Sequence, residues 1–264
     1  MTVDARTDGA APPVPRVLVV EHERDCGLGH LDPLPGCELV VVRPGENDTL
    51  PPDLDGWQGL VVLGGRPAAW DDEGAPWLPA TRALLAKAVE QGVPALGICL
   101  GAQLLALATG GTVEPGADGP EIGVLGVLLA EEAHHDAFAG PLAQTLGGGL
   151  VAPQGHHQAV TALPPGAVLL ASSPRYPHQL FRVGDRAWGV QYHPEVTADD
   201  FAVWMQEDAV DLVAAGTSAA EQVQVFTTVQ DALLTSVRAH AEAFASVVHA
   251  AAALPTPTPA EPGP

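Results

Sequence analysis

The sequence is poor in cysteine and in basic residues. Its three cysteines, Cys26, Cys37 and Cys99, are an odd number and have neither a metal-ligand nor a disulfide spacing. They are typical of a reduced cytosolic protein. Only 11 lysine and arginine residues stand against 32 aspartate and glutamate residues, which gives a formal net charge of −21. This balance argues against nucleic acid or an anionic membrane as a partner.

Long hydrophobic runs are also missing. No stretch approaches the roughly 20 apolar residues that a membrane-spanning helix needs. The N-terminus lacks the basic start and the apolar run of a signal peptide. We therefore expect a cytoplasmic protein without a membrane partner. Residues 1–15 and 254–264 are polar or rich in proline and are predicted to be disordered. This leaves 16–253 as a single domain, long enough to bury a sizeable core.

The apolar segments of the first half predict an α/β fold. Four short runs have the length and composition of buried parallel strands: 17–20, 39–42, 60–63 and 93–98. An amphipathic pattern at 77–91, followed by Gly92, predicts a helix between the last two strands. Strands interleaved with helices predict a doubly wound, mostly parallel sheet with helices flanking it.

The second half changes character. Residues 122–129 and 167–171 are typical of further strands, and 178–183 with 187–192 predict a hairpin around Gly184. Together they indicate a small antiparallel addition to the sheet. From 197 to 253 the pattern is helical and rich in alanine, valine and leucine, which predicts a C-terminal helical extension.

A single cysteine lies where the fourth predicted strand gives way to a helix. Cys99 stands between Gly97 and Gly101, and the helical pattern follows directly. This is the sequence form of a nucleophile elbow, whose crowded turn requires glycines on either side. The positive end of the helix dipole at such a turn favours a thiolate. Cys99 is therefore the candidate nucleophile, whereas Cys26 and Cys37 lack this context and are interpreted as structural.

A second motif, His193-Pro194-Glu195, supplies a base and its partner. Proline forces the residue before it into an extended conformation. In an extended segment, residues two apart point to the same side, so His193 and Glu195 can face one site. A carboxylate that orients an imidazole beside a nucleophile is the arrangement of nucleophilic catalysis.

These motifs resemble those of the class I (triad) glutamine amidotransferases, and stand-alone proteins similar to the glutaminase part of GMP synthase in particular. The resemblance runs from about Val17 to Val196 and rests on several segments in the family's order: Leu63-Gly64-Gly65, Gly97-Ile98-Cys99-Leu100-Gly101-Ala102-Gln103, Leu163-Pro164-Pro165-Gly166-Ala167 and Arg186 through Val196. It implies the flavodoxin-like fold of that family.

The resemblance also implies a reaction. Cys99 would attack the side-chain amide of glutamine, releasing ammonia and leaving a γ-glutamyl thioester, with His193 as acid and then base and Glu195 as its orienter. The oxyanion hole would use backbone N–H groups of Leu100 and of the Gly64-Gly65 turn. The substrate-binding residues implied are Gln103, His156 and Gln158.

Three functions remain open at this point. Glutamine hydrolysis could deliver ammonia to a separate synthetase, another γ-glutamyl amide or peptide could be cleaved without a partner, or the fold could serve as a non-catalytic binding module. Gln158 stands where the family usually has Asp, which favours an altered substrate. The histidines at 134–135 and 156–157 fit no standard metal spacing, so neither a metal nor a cofactor is expected.

Overall fold

The computed structural model describes residues 13–254. Its strands are β1 (Arg16–Val20), β2 (Glu38–Val42), β3 (Gly59–Val62), β4 (Ala95–Ile98), β5 (Thr112–Pro115), β6 (Glu121–Leu129), β7 (Gly149–His156), β8 (Gln158–Ala162), β9 (Val168–Ser172), β10 (Leu180–Val183) and β11 (Ala187–Val190). Its α-helices are α1 (Leu78–Gln91), α2 (Leu100–Ala108), α3 (Ala139–Leu146), α4 (Ala198–Glu207), α5 (Ala209–Ala214), α6 (Ala219–Thr228) and α7 (Gln230–Ala252).

One large sheet organises the described residues, with the strand order β2-β1-β3-β4-β11-β10-β9-β6-β7. The strands from β2 to β11 run parallel. From β11 to β7, each strand pairs antiparallel with its neighbour. A separate antiparallel pair joins β5 to β8. The parallel, doubly wound core with an antiparallel addition, expected from the sequence, is thus confirmed.

Helices cover both faces of the sheet. On one face α1 and α2 contribute Leu84, Leu85 and Leu104 to a buried core. On the other, α3 and α7 contribute Leu142 and Phe244 to a second core. Strands covered on both faces have no solvent side, which is why β3, β4 and the part of β1 after Arg16 are apolar.

The C-terminal helix α7 is tied to the strand end that leads to His193. Tyr192 donates a hydrogen bond from its hydroxyl to Nε2 of His240 (2.9 Å), and Nδ1 of His240 donates to the Ser236 carbonyl (2.7 Å). Burial lowers the pKa of His240 to about 4, so the ring is neutral and its Nε2 can accept. The predicted helical extension therefore packs against the core.

The protein contains more antiparallel structure than the sequence predicts. Neither β7 nor the separate β5–β8 pair has a clear strand signal in the sequence. β7 contains Pro153 and Gly155, which ordinarily argue against a strand. It lies at the edge of the sheet, paired only with β6. An edge strand tolerates proline since one of its sides makes no ladder hydrogen bonds.

The segments predicted to be disordered, 1–15 and 254–264, lie almost entirely outside the described residues. Pro15 is described, and its carbonyl accepts a hydrogen bond from the Glu38 N–H (2.9 Å), which ties it to the start of β2. The single-domain division stays a prediction. Across residues 13–254, no helix combines the length and the apolar character needed to cross a membrane.

Candidate active site

Cys99 sits at a sharp turn between β4 and α2, in a strained backbone conformation (φ 49°, ψ −106°). The turn is tight enough to need both neighbouring glycines. A Cβ on Gly97 would lie 2.4 Å from the Gly101 carbonyl oxygen, and one on Gly101 would lie 2.0 Å from the Val62 carbonyl oxygen. A strained non-glycine residue at such a turn is a mark of a functional site.

The sheet register brings two further segments to Cys99. β4 lies between β3 and β11, with Val62 opposite Gly97 and Val190 opposite Ile98. The carboxyl ends of these parallel strands therefore meet at one edge, where ligands bind in doubly wound sheets. The turn at Gly64 and Gly65 follows β3, and the segment bearing His193 follows β11.

His193 is held between a carboxylate and the cysteine. Its Nδ1 lies 2.7 Å from Oε1 of Glu195, and both side chains are buried. Burial alone lowers the pKa of His193, but the charges of Glu195 and Cys99 and hydrogen bonds to both outweigh it and raise the pKa to about 10. At neutral pH the ring is therefore an imidazolium, with Glu195 fixing its orientation.

Backbone N–H groups lie free beside the cysteine. Within residues 13–254, the N–H groups of Leu100 and Gly65 donate no hydrogen bond to the backbone or to a side chain. Gly64 lies against His193, since a Cβ there would be 2.9 Å from the ring carbon Cε1. A Cβ on Gly65 would lie 3.0 Å from His22 and 3.1 Å from the Leu100 side chain. Glycine at both positions lets this backbone approach the cysteine closely.

A cavity of about 450 Å³ opens over Cys99. It is lined by residues from six parts of the chain: Cys26, Gly65, Arg66, Cys99, Gln103, Gly155, His156, His157, Gln158, His193, Trp204, Glu207 and Asp208. Most residues predicted from the sequence line it. Glu195 contacts His193 but, like Gly64 and Leu100, does not line the cavity.

The predicted substrate-binding residues differ in how many of their polar groups already make hydrogen bonds within the fold. Both nitrogens of His156 are engaged, Nδ1 with the Gln158 carbonyl (2.9 Å) and Nε2 with Glu121 (3.1 Å). Both nitrogens are therefore used within the fold. Gln103 donates from Nε2 to the Gln158 carbonyl (3.0 Å) and to Gln191 Oε1 (3.3 Å), which fixes its side chain in the cavity wall.

Acidic side chains surround the only arginine in the cavity wall. Arg66 donates to Glu23, Asp25 and Glu207. These bonds join the loops after β1 and β3 to the end of α4. Ligand atoms of His157, Asp208 and Asp211 lie within 4.8 Å of one another, close enough to share a cation.

The sequence did not single out the α4 wall of the cavity. Trp204 packs edge-on against His193, with ring centroids 4.6 Å apart, and Glu207 and Asp208 follow it on the same side. Gly155 lies against the indole, since a Cβ there would be in ordinary van der Waals contact with it, at 3.5 Å. The sequence signal for this wall is limited to a tryptophan in a helical segment.

Comparison with known proteins matches this arrangement to one family. The model of glutamine amidotransferase class-I matches residues 35–211. The chain is 34% identical over 148 residues to a glutamine-hydrolyzing GMP synthase of Porphyromonas gingivalis, which covers 56% of this chain and 26% of that protein. It is 30% identical over 165 residues to gamma-glutamyl peptidase 4 of Arabidopsis thaliana, covering 62% of each.

A solved structure agrees along nearly its whole length. The crystal structure of a glutamine amidotransferase from Thermotoga maritima superposes with a TM-score of 0.76 at 25% identity, covering 88% of this chain and 99% of that one. The chain spans about a quarter of the length of the GMP synthases it matches. The family match covers well over half of the sequence, and the chain therefore belongs to the class I glutamine amidotransferase family.

Proposed function

We propose that the protein is a cysteine-dependent hydrolase of γ-glutamyl amides, with glutamine as the simplest substrate. The observation that carries the proposal is the arrangement of His193 between Glu195 and Cys99 at the strained turn. A cysteine paired with a protonated histidine is held as a thiolate, which is the reactive nucleophile. A binding module would need none of these three groups.

The first half of the reaction forms a thioester. The Cys99 thiolate attacks the amide carbon, a carbon–sulfur bond forms, and the carbonyl electron pair moves onto oxygen. The N–H groups of Leu100 and Gly65 stabilise this oxyanion, and such donors each lower the barrier by about 3 kcal/mol. When the intermediate collapses, the carbon–nitrogen bond breaks and the departing nitrogen takes the proton from His193, leaving as ammonia or an amine.

The second half hydrolyses the thioester. Neutral His193 now takes a proton from water, and the hydroxide attacks the thioester carbon. Collapse of the second oxyanion breaks the carbon–sulfur bond, releases glutamate and restores the ion pair of Cys99 with His193. Glu195 stabilises the imidazolium each time it forms. The overall reaction converts a γ-glutamyl amide and water into glutamate and ammonia or an amine.

Two uses of this chemistry are supported. The similarity to glutamine-hydrolyzing GMP synthases favours glutamine as substrate and a separate synthetase that accepts the ammonia. The similarity to a gamma-glutamyl peptidase, together with Gln158 where the family usually has Asp, favours a larger γ-glutamyl amide and no partner.

A substrate panel tests the proposal. The purified chain is incubated with glutamine, γ-glutamyl alkylamides and γ-glutamyl dipeptides, and ammonia, amine and glutamate are quantified. We expect glutamate and one equivalent of ammonia or amine from at least one compound. Iodoacetamide should stop the reaction, with peptide mapping placing the label on Cys99. If no compound is cleaved, even with candidate synthetases added, the hydrolase proposal is wrong and a binding module is favoured.

Glu195→Gln is expected to lower kcat by up to about 10⁴-fold, because an amide cannot stabilise the imidazolium. Without the carboxylate charge the pKa of His193 also falls from about 10. The high-pH limit of activity should therefore move to lower pH, because His193 must be protonated to release the leaving group. Steady-state rates from pH 6 to 11 measure both effects.

The matched control is Glu242→Gln, which removes one carboxylate from α7 away from the cavity and should leave the rate and the pH profile unchanged. Cys99 in Glu195→Gln should still react with iodoacetamide, because the thiol itself is intact. Equal turnover of Glu195→Gln and the unmutated protein would show that Glu195 does not orient His193.

A further inference from the structure

The last turn of α4 forms one side of the cavity, next to the group that protonates the leaving nitrogen. Trp204 contacts His193, and the Asp208 N–H donates to the Trp204 carbonyl (2.9 Å). Residues four apart on a helix share a face, so Asp208 continues the wall that begins at Trp204. A leaving group that extends beyond His193 would pass along these side chains, which we call the amine subsite (Trp204, Glu207 and Asp208).

The Asp208 carboxylate accepts no hydrogen bond from residues 13–254. Asp208 precedes α5, where an aspartate commonly accepts a capping hydrogen bond, but its side chain caps nothing. Nε2 of His157 lies 3.9 Å from it, and that histidine is closer to Asp211, at 3.2 Å. Burial is the largest cause that raises the pKa of Asp208, and the neighbouring charges of Asp211 and Glu207 raise it further.

The positive groups around the cavity are already matched by carboxylates. Arg66 is shared among three of them, and His193 pairs with Glu195. The Asp208 carboxylate is in addition to these pairs. The subsite therefore has an excess of negative charge.

Two further features of the same cavity point to a ligand rich in N–H donors. Gln103 is buried, and its amide nitrogen is anchored twice. Its Oε1 accepts no hydrogen bond from residues 13–254, so this oxygen can accept a hydrogen bond from a ligand in the cavity. The indole of Trp204 is the aromatic surface on which organic ammonium groups bind best.

We propose that the preferred substrate is a γ-glutamyl amide of a diamine or polyamine, whose second ammonium binds the amine subsite. This rests on the proposed function and specifies its leaving group. Hydrolysis consumes one water, breaks the amide bond through the Cys99 thioester, and yields glutamate and the free diamine. The negative wall disfavours leaving groups that carry a carboxylate, as the amino acid released from a γ-glutamyl peptide does.

Three substrates of equal length test the charge preference. They are the γ-glutamyl amides of diaminobutane, pentylamine and aminopentanoate, which place an ammonium, a methyl or a carboxylate at the same distance. We expect kcat/KM to fall in that order, by about tenfold at each step, with the difference shrinking as salt is added. Glutamine is measured beside them as a reference for the chemical step.

Asp208→Asn tests the residue. It should reduce the preference for the ammonium over the methyl compound about tenfold, mainly through KM, because the charge acts in binding. Asp199→Asn is the matched control: it removes the same charge from the exposed first turn of α4 and should keep the preference.

Several results would overturn the assignment. Equal kcat/KM values for the three amides, or values in the reverse order, would refute the amine subsite and leave the hydrolase proposal intact. If Asp208→Asn lowers kcat/KM equally for glutamine and for the diamine amide, the Asp208 charge lies beside the α-ammonium of the γ-glutamyl group instead. Stoichiometric zinc binding that Asp208→Asn removes would make the cluster with His157 and Asp211 a metal site. Failure to cleave any amide, glutamine included, would refute the hydrolase proposal itself.

Discussion

Cys99→Ala is expected to abolish the release of ammonia or amine from every cleaved γ-glutamyl amide, with a loss in kcat of about 10⁵-fold or more. No other described side chain lies at the turn between β4 and α2 in a position to form the thioester. The free N–H groups and the substrate pocket remain in the variant, so binding should be largely retained. Single-turnover rates with mass detection of the acyl-enzyme measure the change directly.

Cys26→Ala is the matched control, because Cys26 lines the same cavity. Burial and the nearby charges of Asp25 and Glu23 raise the pKa of the Cys26 thiol far above its ordinary value. It therefore stays protonated and unreactive, and its removal should leave kcat within a few-fold. If Cys99→Ala still forms an acyl-enzyme, or if Cys26→Ala is the inactive variant, the nucleophile is misassigned.

Much of this arrangement could be predicted because it depends on local sequence. The turn at Cys99 needs glycine on both sides for steric reasons, and proline after His193 fixes the extended backbone that aligns it with Glu195. Strands covered on both faces form continuous apolar runs, so the strands of the parallel core can be predicted from the sequence. Each of these features is determined within a few residues of itself.

The rest of the site depends on contacts between distant segments. Trp204 contacts His193 from the helix that follows it in the sequence. Arg66 binds Glu207, which lies 141 residues later in the chain. Neither pairing has a sequence signature, because a tryptophan or a glutamate on an amphipathic helix usually serves packing or solvation. His156 was predicted as a substrate ligand, and only the fold reveals that Glu121 and the Gln158 carbonyl already use both its nitrogens.

Gly101→Ala is expected to be the most destabilising single-methyl change in the active-site region. The new Cβ would lie 2.0 Å from the Val62 carbonyl oxygen and 2.8 Å from its carbon. These are backbone atoms of a central strand, so neither a rotamer change nor a small shift relieves the contact. We expect a loss of at least about 3 kcal/mol in the free energy of unfolding, or about 10 °C in Tm.

Gly126→Ala is the matched control for this change. Gly126 lies in β6 with nothing within 4 Å of an added Cβ, so the substitution should be neutral or slightly stabilising. Thermal unfolding followed by circular dichroism compares the two variants. Gly101→Ala should also lose activity beyond its loss of folded protein, because relief of the clash moves α2 away from β3 and takes the Leu100 N–H with it. Equal Tm values for the two variants would mean that the turn at Cys99 is looser than its glycine contacts indicate, and that the oxyanion hole is not held by them.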